Sequence, residues 1–241
     1  MKRMILGALG VIMIGLAVPA YADDLISEKD IGGKFSANVS LVSEYFFRGL
    51  TQSGNGTPAI QGGFDFNHDS GAYLGVWGSN INFGGNIETD FYGGWSGNIG
   101  KDGPGINAGV IYYHYPDANS GDNLDYWEGY VGLSKDFKVA SGSIKASYSP
   151  DYTASSGTAI YLEAAVDVPA GKYFTVNLHA GHQWVDDNTA FGFDDYTDYL
   201  LGVSFSVFGL GAKVAYINNS LHDSDCVGGC DRVIASISKS F

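Results

Sequence analysis

The chain contains two cysteines, three methionines and six prolines in 241 residues. So few cysteines exclude a disulfide-built scaffold, and scarce proline leaves long stretches free to form uninterrupted strands. Positive charge is also short, with 13 Lys and Arg against 26 Asp and Glu and a net charge of −13. That balance excludes nucleic acid as a partner, because phosphates require a basic surface. After the first two dozen residues, no apolar run reaches the ~20 residues of a membrane helix. What is abundant is glycine, with 35 residues, together with 16 Tyr and 14 Phe. Glycine is thus about twice its usual share of ~7%.

The amino terminus, MKRMILGALGVIMIGLAVPAYA, joins Lys2 and Arg3 to an apolar run and an Ala20-Tyr21-Ala22 cleavage site. Residues 1–22 are therefore expected to be a secretory signal. Residues 23–34 follow as a periplasmic amino-terminal segment, and 35–241 as the folded domain.

From Phe35 the chain alternates with period two, which places every second side chain on one face of a strand. Phe35, Ala37, Val39 and Leu41 oppose Ser36, Asn38 and Ser40. Ile160, Leu162, Ala164 and Val166 oppose Tyr161, Glu163 and Asp167, and Tyr199, Leu201, Val203 and Phe205 oppose Asp198, Gly202 and Ser204. About twelve such runs of around ten residues recur, the length of a tilted strand crossing a bilayer. With the amino terminus inside, the gaps alternate between short turns such as DFK, PAGK and FGL and mostly longer loops such as YPDANSGDNLD and NNSLHDSDCVGGCD. The fold class expected is an all-β, transmembrane, antiparallel up-and-down β-barrel with short periplasmic turns and longer outer loops.

Aromatic girdles give a second indication. On the apolar face, Tyr45, Phe47, Tyr112, Trp127, Tyr148, Tyr199 and Tyr216 are predicted at the outer ends of strands, and Phe64, Phe66, Phe137, Phe174 and Phe241 at the periplasmic ends. A secreted lipocalin-like barrel would explain the alternation but not two belts. The stretch SEYFFRGLT (43–51) is read as a strand end, with Tyr45 and Phe47 facing lipid and Glu44, Phe46 and Arg48 facing inward. The last run, RVIASISKSF, ends on Phe241 as outer-membrane strands read by the assembly machinery do. Lys239 departs from that pattern on the apolar face and is expected to snorkel at the periplasmic interface.

The motif NVSLVSEYFFRGLTQS, with the Gly- and aromatic-rich strands after it, resembles the TorF-type family of small proteobacterial porin-like proteins. The resemblance implies an outer-membrane barrel with pore activity and supplies no substrate and no catalytic residue.

If the polar face is a lumen, the pore-lining charges are Glu44, Arg48, Glu88, Asp90, Glu128, Lys145, Glu163, Asp167, Lys213 and Arg232. Strand order sets Arg48, Lys213 and Arg232 on one wall and the acids Glu88, Asp90, Glu128, Glu163 and Asp167 on the other, with Lys145 as an exception. Such a transverse field orders water and disfavours apolar solutes, and the excess of acids favours cations. The alternative is a salt-bridged plug that closes a narrow barrel, and tyrosines on the polar face (Tyr92, Tyr126, Tyr130, Tyr161) point the same way.

Cys226 and Cys230 flank VGG in the last outer loop and are expected to form a disulfide in an oxidising compartment. A metal site with His222, Asp223 and Asp225 is the alternative. Asp186, Asp187, Asp194, Asp195 and Asp198 form a solvated acidic rim or, failing that, a calcium loop. His114 and His182 lie near outer ends without a nucleophile motif, so no enzyme is expected. No cofactor is expected either.

The function expected is passive diffusion of small polar solutes or ions across the outer membrane, with a weak preference for cations. A closed barrel acting as a structural or adhesive surface protein is the alternative. The expected partners are lipid, lipopolysaccharide, the assembly machinery through Phe241 and small polar solutes.

Overall fold

The structure is a computed structural model in which residues 28–241 are described, except Asp102 and Ser120. The expected signal at 1–22 lies outside the described residues. Twelve long strands are present: β1 (Gly33–Val42), β4 (Ala59–His68), β5 (Ala72–Asn80), β6 (Ile87–Asn98), β7 (Gly105–His114), β8 (Tyr126–Asp136), β9 (Ser141–Ser149), β10 (Ala159–Ala170), β11 (Phe174–Val185), β12 (Tyr196–Val207), β13 (Leu210–Asn219) and β14 (Arg232–Ser240). A two-stranded hairpin, β2 (Phe46–Phe47) and β3 (Leu50–Thr51), lies in the first long loop, and among the described residues one α-helical turn, α1 (Asn188–Phe191), is present.

Each long strand pairs antiparallel with its neighbours in sequence, and β1 closes the ring by pairing with both β4 and β14. The closing register sets Leu41 against Ile237 and Phe35 against Phe66. Closure leaves no sheet edge, so the backbone amides of the wall are paired within it, which hydrocarbon requires of any spanning segment. Among the described residues no helix is long and apolar enough to cross a membrane.

The period-two pattern explains which way each side chain points. Phe35, Leu41, Phe64, Leu74, Val110, Val131, Ile144, Leu162, Leu201 and Ile237 stand exposed on the outside. An apolar exterior of this extent fits a bilayer and no aqueous compartment, and the protein belongs in the bacterial outer membrane. Tyr112, Trp127, Tyr148, Tyr199 and Tyr216 are exposed at one end of the barrel, and Phe64, Phe137, Phe174 and Phe241 at the other. The second end also carries the short connections 69–71, 99–104, 137–140, 171–173 and 208–209. It is the periplasmic end by the usual asymmetry of such barrels. There the Lys239 ammonium donates to the Gly209 carbonyl at 2.9 Å, which keeps its charge at the rim.

Part of the glycine excess has a packing cause. The ring of Tyr92 lies over Gly75 on the neighbouring strand, where an added Cβ would come within 2.5 Å of it. Tyr161 covers Gly181 in the same way. Rings can lie flat against the inner wall only where the adjacent strand has no side chain.

Val131, midway along β8 and exposed to lipid, tests the orientation of the wall. Val131→Arg is expected to destabilise the refolded barrel by about 2–4 kcal/mol in urea titrations in bilayers. Ser143→Arg, at an exposed inward-facing position of the paired strand β9, is a control for charge without lipid contact.

Candidate functional site

The stretch 43–51 does not end the first strand in the outer girdle. The chain leaves the wall after Val42, turns inward and forms the β2–β3 hairpin, with Phe46 opposite Thr51 and Phe47 opposite Leu50. Tyr45 is buried edge-on against Trp77, with ring centroids 5.6 Å apart, and Phe47 meets Tyr113 at 5.6 Å. The expectation that Tyr45 and Phe47 face lipid, with Arg48 on the first strand, is therefore corrected. Both central residues of the turn have positive φ, Arg48 at 47° and Gly49 at 75°. Positive φ at both positions makes the tight turn whose twist suits a hairpin. For a residue with a Cβ that conformation costs roughly 1–2 kcal/mol.

The cost is offset across the lumen. The Arg48 guanidinium donates to both carboxylate oxygens of Glu128 at 2.9 and 2.6 Å and to Gln183 Oε1 at 2.8 Å. It also lies between the rings of Phe47 and Tyr161, 4.7 and 4.2 Å from their centroids. Only 6% of the Arg48 side chain and 3% of Glu128 are exposed, so the pair is desolvated and bidentate. Gly49 touches the wall beside it: its carbonyl accepts from Asn219 Nδ2 at 2.8 Å, and an added Cβ would sit 2.6 Å from Asp198 Cβ. The hairpin therefore spans the lumen, touching β13, β12 and β11 on one side of β1 and reaching β8 across the ring.

The base of the hairpin is held as firmly. Glu44 is buried and accepts from Thr51 Oγ1 at 2.6 Å and from the Gly56 amide at 3.0 Å, with Arg232 Nε 3.6 Å away. Arg232 also donates to Asn55 and to the Val227 carbonyl, so it ties the first outer loop to the last instead of lining a wall. Around the hairpin, Trp77, Glu88, Tyr113, Tyr126, Tyr161, Gln183 and Tyr196 are buried, and they come from seven different strands. The outer half of the lumen is thus a packed plug.

The periplasmic half is wetter. Tyr73 bonds Asn107 and Tyr130, Tyr92 bonds Asp65, and Asn177 donates to Asp167 at 2.7 Å, with these groups partly or largely exposed. Lys145 pairs with Glu163 on the adjacent strand, and His179 lies 3.1 Å from Glu163 and 3.4 Å from Asp198. The opposed basic and acidic walls are therefore not left facing one another: Glu128 is matched by Arg48 and Glu163 by Lys145. Glu88 and Asp90 stand next to the plug, where Glu88 Oε2 and Asp90 Oδ1 are buried without a hydrogen-bond partner. Lys213 stands half-buried on β13.

In the outer loops Cys226 and Cys230 are joined by a disulfide. The acids of the fifth loop do separate work: Asp187 caps α1, Asp195 accepts from the Val185 amide, and Asp198 sits inside the barrel bonded to Tyr161. Among the described residues no three such groups converge as metal ligands. Asp117 clasps the second loop to the third by accepting from Asn86, and these bonds hold its carboxyl below the usual range. His114 bonds Asp125 and His182 bonds Thr197.

The salt bridge defines a stability test. Arg48→Met leaves Glu128 desolvated without its cation and is expected to cost about 3–5 kcal/mol in urea unfolding. Arg48→Met with Glu128→Leu is expected to lose less than the single variant, because no buried charge is left alone.

A family model matches residues 27–241: Gcw_chp, described as a bacterial protein of unknown function. Among curated proteins none matches the sequence. Among solved structures the fold is similar to the KdgM porin, with a TM-score of 0.57 at 10% identity over 85% of this chain and 99% of that one. It is also similar to the NanC porin, with a TM-score of 0.56 at 12% identity over 83% and 97%.

Proposed function

As this chain belongs to the Gcw_chp family, a bacterial family of unknown function, its activity has to be argued from its own lumen, and we propose that it is a porin-like outer-membrane channel throttled by its first loop. The observation that carries this reading is the β2–β3 hairpin, anchored across the lumen by Arg48 and Glu128 above a polar, partly exposed periplasmic half. Porins are what the similar folds are called, and the TorF-type resemblance of the first strand and loop agrees.

The solutes are small and polar, because the hairpin and the buried side chains around it fill the outer half of the lumen and leave no wide passage. Cations are favoured weakly: Asp65 faces the periplasmic half bonded to the neutral Tyr92, and Asp167 is bonded to Asn177 with Lys213 as its nearby counter-charge, while the remaining acids outnumber the bases. The packed outer half favours the second reading, a closed barrel that serves as a surface scaffold.

Single-channel recording of refolded protein separates the two. The native chain is expected to show small conductance steps, and replacement of residues 44–51 by a short Gly-Ser linker is expected to enlarge them several-fold. Absence of steps from both proteins at every voltage would establish the closed scaffold. For selectivity, Asp65→Asn with Asp167→Asn is expected to move the reversal potential in a salt gradient toward zero. Lys145→Met with Glu163→Gln, which removes a matched pair and leaves the net charge of the lumen unchanged, is expected to have little effect on it.

A further inference from the structure

Above the hairpin, on the outer side, the loops enclose a cavity of about 270 Å³ whose lining is mostly apolar. Phe46 lies in its floor, Tyr126 and Tyr152 in its wall, and Phe83, Phe191 and Phe193 are brought in by the loops. The rings are mutually braced: Tyr126 meets Tyr152 at 4.6 Å, Tyr152 meets Phe191 at 5.5 Å, and Phe191 meets Phe193 at 5.4 Å. A concave aromatic cup in the mouth of a barrel is the usual form of a small-molecule site, and its size admits one small ligand.

The charge around the cup is mostly negative, and the guanidinium at its edge, Arg232, is committed to Glu44, Asn55 and the Val227 carbonyl. Asp225 is among its lining residues, and Asp186, Asp194 and Asp223 stand exposed in the loops around it. In the six outer connections of the barrel, 43–58, 81–86, 115–125, 150–158, 186–195 and 220–231, the sequence has one Lys or Arg. That residue is Arg48, which is buried and committed to Glu128. Tyr115, another lining residue, donates to Glu88, whose other oxygen is unpartnered. Aromatic faces attract a desolvated cation through their quadrupoles, and an acidic surround raises its local concentration.

We infer that this cup is a binding site for a small organic ammonium ion, its alkyl groups held against the rings of Phe46, Tyr126, Tyr152, Phe191 and Phe193 and its charge matched by Asp225. An inorganic cation lacks the apolar surface to fill such a site, and a neutral ligand would leave the acidic rim unused. Binding here needs no conduction, so the inference stands or falls separately from the channel reading.

The test uses saturation-transfer NMR on the full chain refolded in maltoside micelles free of phosphatidylcholine, at constant ionic strength. The probes are choline and its uncharged carbon isostere, 3,3-dimethylbutan-1-ol. Choline is expected to show saturable transfer to its trimethyl protons with at least tenfold higher affinity than the isostere. Phe191→Ala with Phe193→Ala is expected to weaken choline at least tenfold, and Asp225→Asn several-fold. Both variants lie in outer loops, and heat-modifiable migration in gels verifies that their barrels are closed. Equal affinity for the two probes, no saturable choline signal, or unchanged binding by the folded Phe191→Ala/Phe193→Ala protein would each overturn the proposal.

Discussion

Hydrocarbon offers no hydrogen-bond partner to a peptide group, and the rest of this structure follows from that constraint. A sheet that must satisfy its edges without water has to close, and β1 does so by pairing on both sides. Closure makes the inside different from the outside at every residue of every strand. The side chains of one parity must suit lipid, and those of the other are released to suit water, one another, or an inserted segment. The polar face of this chain uses all three.

An inserted hairpin poses its own electrostatic problem. A guanidinium brought into the middle of a packed plug would be intolerable without a partner, and Glu128 would be equally so. Together they form a desolvated, bidentate bridge whose net contribution to stability is modest, although removal of one member is costly. Its value lies in geometry, because the fork of Arg48 fits only where Glu128 and Gln183 both lie within reach. Gly49 adds a steric condition, since the turn approaches β12 too closely for a side chain.

Most of the wall was legible in the sequence, because a half-buried strand in lipid declares its period. The run from Ile160 to Val166, for example, reads the same on the page and in the barrel, with Ile160, Leu162 and Val166 outside and Tyr161 and Glu163 inside. The hairpin was not legible by that route. Alternation through Tyr45 and Phe47 continues the pattern of β1, and a period of two cannot tell a strand from one arm of an inward hairpin. The available signal was Gly49 after Arg48, a turn pair set between short apolar runs. The ion pairs were hidden for another reason: strand order gives neighbours, whereas Arg48 and Glu128 meet across the ring. The tyrosines on the polar face did show that the interior is crowded, but not that Phe46 and Phe47 would join them.

The hairpin is an early segment whose tip is anchored by late ones. Arg48 reaches Glu128 and Gln183, and Gly49 reaches Asn219, 80, 135 and 170 residues further along the chain. Its seat does not exist until β13, the eleventh of the twelve wall strands, has been laid down, and the loop-closure entropy of such distant pairings must be met first by the growing wall. Until then the loop has to stay out of the lumen, with its aromatic rings and its arginine in water. The docked hairpin is therefore a mark of completed assembly, made by the first loop and readable only after nearly the whole ring has formed.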